Sequence, residues 1–195
     1  MTMQAPSRPL WTQCPAPMFI VGPAHAGKSE LAIQALAPDQ PAVVVGSAPT
    51  DEPAFRRRLE DLQTLRPGGW DSVYAGTDLV TTVAAATERC QQVLIDSVSQ
   101  WLAALLLSSD PEIEGSEQGR AKYLERQVSD LLSHIERHPH VRFVVVSAEV
   151  GGGPAPSRSA ERLFRQQVGL CNQRLAKAAT TVISVQSGIA SIIKR

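Results

Sequence analysis

Short apolar runs recur along this chain, and between them apolar residues fall three or four positions apart. Met18–Val21, Ala42–Val45, Val93–Ile95, Val141–Ser147 and Thr181–Gln186 are mostly apolar rather than alternating, and Trp70–Tyr74 is a weaker run of the same length. Runs of this kind suit strands covered on both faces. The intervening spacing predicts helices over Glu30–Leu36, Asp51–Leu65, Asp78–Gln91, Ser97–Leu107, Lys122–Glu136 and Ser159–Ala179. Ser108–Gly119 is polar and contains Pro111 and Gly115, so it reads as a solvated loop. Residues 1–17 hold four prolines and read as an arm, with residues 18–195 forming a single domain. Strands alternating with helices give an α/β class with a mostly parallel sheet and helices on both faces.

The first apolar run ends in the most informative stretch of the sequence. Gly22-Pro23-Ala24-His25-Ala26-Gly27-Lys28-Ser29 matches G-x-x-x-x-G-K-[ST], with a strand pattern before it and a helix pattern after it. This order suits phosphate chemistry. The glycines let successive backbone N–H groups converge on phosphate oxygens. Lys28 offers a point charge to the terminal phosphates, and the Ser29 hydroxyl suits Mg²⁺. The expected ligand is a nucleoside triphosphate with Mg²⁺.

In a parallel sheet, ligands collect at the C-terminal strand ends, where Gly22, Gly46, Asp96 and Glu149 are expected. Asp96 closes an apolar strand, as an acid that helps hold Mg²⁺ would, or else it caps the next helix. Glu149 either orients an attacking hydroxyl or is an ordinary loop acid beside Gly151–Gly153. His25 lies inside the phosphate loop, whose side chains commonly face solvent. Arg56, Arg57 and Arg58 read as a solvated helix face, and His134, His138 and His140 cluster around a helix end.

Composition narrows the partners. Nineteen Lys+Arg against nineteen Asp+Glu leave no net charge, so nothing recommends nucleic acid or an anionic membrane surface. No apolar run reaches membrane-spanning length. Cys14, Cys90 and Cys171 are scattered and odd in number, which suits a reducing cytoplasm and argues against a disulfide framework or a zinc site.

The motifs also stand in a recognisable order. Gly22–Ser29, then VLIDSVSQWLAALL at 93–106, then Glu149-Val150-Gly151, Gly153, Pro156, Arg162, Phe164-Arg165, Gly169, Asn172–Ala176 and Ser187-Gly188 resemble the bifunctional adenosylcobinamide kinase/adenosylcobinamide-phosphate guanylyltransferase family of cobalamin biosynthesis. The resemblance implies a RecA-like P-loop fold and a homotrimer. It also implies ATP- or GTP-dependent phosphorylation of a corrinoid alcohol, followed by GMP transfer through a guanylylated histidine. Residues 22–29 would bind the triphosphate, Gly46 and Ser47 would lie in a second nucleotide-contacting stretch, and Asp96 would take the acidic position after the third apolar run.

Several positions depart from the family pattern. Its R-x-x-H-H-x-x-x-R-P segment aligns with RLEDLQTLRP at 58–67, which puts Asp61 and Leu62 where the two histidines stand. Tyr74, Ala104, Ala148 and Gln166 also replace the polar or acidic residues of the family. Leucine has no nucleophilic atom. The expectation is therefore a kinase with Lys28, Asp96 and Glu149 as catalytic residues, Mg²⁺ on Ser29 and Asp96, and guanylyl transfer lost or impaired. The competing expectations are a degenerate nucleotide-binding regulatory subunit and a P-loop enzyme with another acceptor.

Overall fold

A computed structural model of the protein describes residues 10–47, 63–108 and 116–195. Seven strands form one sheet in the order β3-β2-β4-β5-β1-β6-β7. They are β1 (Met18–Gly22), β2 (Val43–Gly46), β3 (Asp71–Tyr74), β4 (Gln92–Asp96), β5 (Arg142–Ala148), β6 (Thr181–Gln186) and β7 (Ile189–Lys194). All adjacent pairs are parallel except β6 with β7. The helices are α1 (Lys28–Gln34), α2 (Leu79–Thr87), α3 (Val98–Leu107), α4 (Glu117–Arg137) and α5 (Ser159–Ala178). The α/β class with a mostly parallel sheet covered on both faces is what the apolar runs lead one to expect.

Each buried strand contributes to two cores because neighbouring side chains point to opposite faces. Phe19, Val43, Val45, Ile95, Phe143 and Val145 pack with apolar residues of α2, α3, α4 and α5. Met18, Ile20, Val44, Leu94, Val144 and Val146 face the other way, onto Leu31, Ala32 and Ile33 of α1. Trp101 is fully buried in the first core, and its indole N–H donates to the Thr77 carbonyl at 2.9 Å, which fixes α3 to the loop after β3.

The N-terminal edge of the sheet is closed by side chains that substitute for backbone partners. Buried Gln92 accepts from Ala37 N at 2.7 Å and donates to Ala37 O at 3.1 Å, holding the turn after α1. Arg142 donates to the carbonyls of Ala35, Trp11 and Cys14 at 2.9–3.0 Å. Thr181 Oγ1 donates to Pro15 O at 2.7 Å. Residues 10–17, within the stretch read as an arm, are thus tied to β5, β6 and α1, and Cys14 is buried.

Three expectations change. The fourth helix starts at Glu117, well before Lys122, because the Ser116 hydroxyl accepts from Gly119 N at 3.1 Å and caps it. The helix expected to reach Gln91 stops at Thr87, since the Gln91 carbonyl already accepts from Arg142 N in the sheet. A seventh strand follows Ser187-Gly188, whose φ values of 52° and 79° make the tight turn of a two-residue hairpin. The helix expected over Asp51–Leu65 lies almost wholly outside the described residues.

Two predictions follow from packing. A Cβ on Gly22 would stand 2.0 Å from the Val185 carbonyl oxygen, so Gly22→Ala forces β1 away from β6. It should cost about 1–3 kcal/mol, read as a lower urea midpoint with an unchanged slope. The second concerns His134, which is buried, 3.2 Å from Thr87 Oγ1 and stacked on His138 at 4.1 Å between ring centroids. Burial, His138 and Arg137 lower its pKa from 6.5, against the opposing charge of Glu88. The unfolded chain therefore takes up this proton first, so the stability His134 provides is present above the unfolded value and lost as pH falls through it. Thermal melts of His134→Gln between about pH 8 and pH 5 should show a flatter acid-side decline than wild type. An unchanged slope would refute this.

Candidate active site

The parallel register lines up the residues that the sequence singles out. Gly46 pairs with Asp96 and with Tyr74, and Gly22 pairs with Ala148. Gly22, Gly46 and Asp96 end their strands on the same edge of the sheet, and Glu149 directly follows β5 there. Glu149 N donates to Gly22 O at 2.9 Å, so this acid begins beside the phosphate loop.

The loop itself runs from Gly22 to Ser29 between β1 and α1. Pro23, Ala24 and His25 are exposed, Ala26 is buried, and Lys28 and Ser29 are buried at the start of α1. His25 and Gly27 have φ of 58° and 93°, and Gly27 supplies the left-handed turn without steric cost. Lys28 folds back over the loop, its Nζ donating to Pro23 O at 2.6 Å. This holds the ammonium against the loop's own backbone.

A brace from the far end of the chain holds the loop. Gly188 N donates to Ala26 O at 3.1 Å, and a Cβ on Gly27 would lie 3.7 Å from Gly188 Cα. The β6–β7 hairpin turn therefore seats the loop from outside. A Ser-Gly pair after a strand is a turn signal in sequence, but its contact with Ala26 is not legible there.

A chain of polar groups crosses beneath the other strand ends. Ser47 has no exposure, and its hydroxyl donates to Ser97 O at 2.5 Å and accepts from Ser97 N at 3.1 Å. Ser47 N donates to Asp96 O at 3.3 Å, and the Asp96–Ser97 peptide is cis. Ser97 Oγ lies 3.1 Å from Ser99 Oγ, which accepts from Ala148 N at 3.0 Å. Asn172 Nδ2, from α5, donates to Ala148 O at 3.0 Å. The backbones carrying Asp96 and Glu149 are thereby tied to one another. With its hydroxyl engaged on both sides, Ser47 holds the Asp96 segment in place.

Sequence reasoning did not single out Arg66. It lines a cavity of about 230 Å³ with Gly46, Gln63, Tyr74 and Asp96. Its Nη1 donates to Ser72 Oγ at 2.5 Å. Burial lowers its pKa, and the Asp96 carboxylate opposes that shift. On the other side, Arg165 donates to the carbonyls of Gly151, Gly153 and Pro154, strapping the glycine turn to α5. Gly151 has φ of 125°, and a Cβ there would meet Arg165 Nε at 3.0 Å. Cys171, also on α5, is not a nucleophile in this setting, because burial pushes its thiol up to about 12 against the pull of Arg174.

Asp61 and Leu62 lie outside the described residues. Among the described residues, no group of three or more His, Cys, Asp or Glu side chains is placed to hold a metal ion. Ser29, in the first turn of α1, and Asp96, at the end of β4, present hard oxygen donors. That set fits Mg²⁺, which takes few protein ligands and completes its shell with phosphate and water. Among the described residues, no helix is long and apolar enough to cross a membrane.

Known proteins resemble this chain across most of its length. The sequence model described as cobinamide kinase / cobinamide phosphate guanyltransferase, CobU, matches residues 18–193. The bifunctional adenosylcobalamin biosynthesis protein CobU of Salmonella typhimurium is 30% identical over 182 residues, covering 91% of this chain and 99% of that protein. CobU of Escherichia coli is 28% identical over 181 residues, covering 91% and 99%. CobP of Pseudomonas aeruginosa is 27% identical over 177 residues, covering 90% and 96%. With a phosphate loop at the head of a parallel sheet and a match across nearly its whole length, the chain belongs to the cobinamide kinase/cobinamide phosphate guanyltransferase family.

Proposed function

We propose that this protein is an adenosylcobinamide kinase that uses ATP or GTP and has lost the guanylyl-transfer step. The observation that carries the reading is the Gly22–Ser29 loop, with Lys28 folded over it and Glu149 N bonded to Gly22 O, at the sheet edge where β4 ends in Asp96. The loop N–H groups and Lys28 bind the triphosphate. Ser29 and Asp96 would hold Mg²⁺, which would supply positive charge to the triphosphate. The acceptor hydroxyl oxygen forms a bond to the γ-phosphorus as the bond from that phosphorus to the β–γ bridging oxygen breaks. The nucleoside diphosphate departs with those electrons, and the hydroxyl proton passes to Glu149 or solvent. Gly46 flanks Asp96, and Ser47 fixes that strand end from below.

Phosphoryl transfer needs mainly positioning and electrostatics, and backbone, Lys28 and the acids supply both. Guanylyl transfer through a covalent intermediate needs a nucleophilic side chain, which Leu62 lacks. His25 is exposed on the phosphate loop and is the nearest histidine in the sequence to take that role. The homotrimer and the cytoplasmic location belong to the same proposal.

The test follows two labels. Purified protein incubated with γ-labelled ATP or GTP and adenosylcobinamide should transfer label to the corrinoid. α-Labelled GTP should leave neither protein nor corrinoid labelled. Acid-labile α-label on the protein would overturn the loss of the second reaction and direct attention to His25. Nucleotide binding without γ-transfer would instead favour the regulatory-subunit reading. Lys28→Met should lower kcat/KM for γ-transfer about 100- to 1,000-fold while the thermal melt stays close to wild type.

A further inference from the structure

Glu149 also lines an open groove of about 560 Å³ along α5. Its floor is the stripe Gln166, Gly169, Leu170 and Gln173, spaced i, i+3, i+4 and i+7 on one helix face. Gly151 and Gly152 form part of its wall.

Gly169 is the unexpected member. It sits well inside a twenty-residue helix, where glycine is unfavourable. A Cβ built there meets no atom within 4 Å, and Gly152 across the groove is equally open. Packing within this chain therefore gives no reason for glycine at position 169. What glycine provides is a floor low enough for a flat body to lie against the helix. Leu170, 37% exposed, offers that body an apolar contact. The exposed Gln166 and Gln173 stand two helical turns apart on either side, each able to donate and accept hydrogen bonds.

We infer that this groove binds the acceptor, a flat corrinoid ring edged with carboxamides, with Gln166 and Gln173 pairing to peripheral amides and Gly169 leaving room for the ring edge. Continuity with the phosphate loop supports this occupant, because Glu149 joins both, through its side chain to the groove and its N–H to Gly22 O. Amide groups pair with amides without the desolvation cost of a charge. The assignment rests on the kinase reading and adds to it where the acceptor lies.

The test compares wild type, Gly169→Leu and the double variant Gln166→Ala/Gln173→Ala. Leucine favours helix and meets no neighbour at its Cβ, so the fold should survive, checked by thermal melting. Corrinoid affinity is measured by equilibrium dialysis, and KM values for corrinoid and nucleotide come from γ-label transfer. Gly169→Leu should raise the corrinoid Kd and KM about tenfold or more, with nucleotide KM within about twofold of wild type. The double variant should raise corrinoid KM about three- to tenfold. Unchanged corrinoid Kd and KM in an active Gly169→Leu protein would overturn the groove alone and leave the kinase reading standing. Dissociation of an oligomer by Gly169→Leu, with corrinoid affinity intact, would overturn it in favour of an interface between copies. Wild type that binds corrinoid without transferring label still tests the groove through Kd. Wild type that neither binds nor phosphorylates corrinoid would remove the kinase reading and the groove with it.

Discussion

Parallel pairing of β1 with β5 and β6, and of β4 with β2 and β5, is the constraint on which the rest of this molecule depends. Parallel strands send every C-terminal end to one edge, so Gly22, Gly46, Asp96 and Ala148 arrive as neighbours whatever their separation in sequence. That edge must then be made polar without leaving buried groups unpaired. The chain meets the demand with small hydroxyl side chains. Ser47, Ser97 and Ser99 carry a line of hydrogen bonds from β2 to the Ala148 backbone, and Asn172 completes it from α5. The result is an edge on which the backbones carrying Asp96 and Glu149 are tied to one another.

Much of the fold is legible because its signals are local. Runs such as Val43–Val45 and Phe143–Val146 mark buried strands by composition alone. The phosphate loop is equally local, since its backbone geometry depends on Gly22, Gly27 and their immediate neighbours. The elements that escaped sequence reading have other causes. β7 is an edge strand with exposed Ile189 and Ile193, so it lacks the unbroken apolar signature of a central strand. The early start of α4 depends on one hydroxyl, that of Ser116, within a stretch otherwise polar enough to pass for loop.

The site divides along the same line. Asp96 and Glu149 are visible because each follows an apolar strand. Ser99 and Asn172 are not, because their roles arise only where α3 and α5 meet the end of β5, and the two residues lie far apart in sequence. Arg66 needs β3 beside β2 before it can face Asp96. The departures from family pattern at Ala104, Ala148 and Gln166 all remove polar or charged side chains. They leave the backbone bonds at Ala148 intact, so the scaffold tolerates losses that the chemistry would register.

The bond from Gly188 to Ala26 bears on the order in which this protein comes into being. The phosphate loop is synthesised before its brace and before both neighbours of β1, which all lie in the last third of the sequence. Parallel pairing over such separations is slow because loop closure comes before the contacts that repay it. β1, an apolar strand, therefore stands without its partners until β5 and β6 have been made.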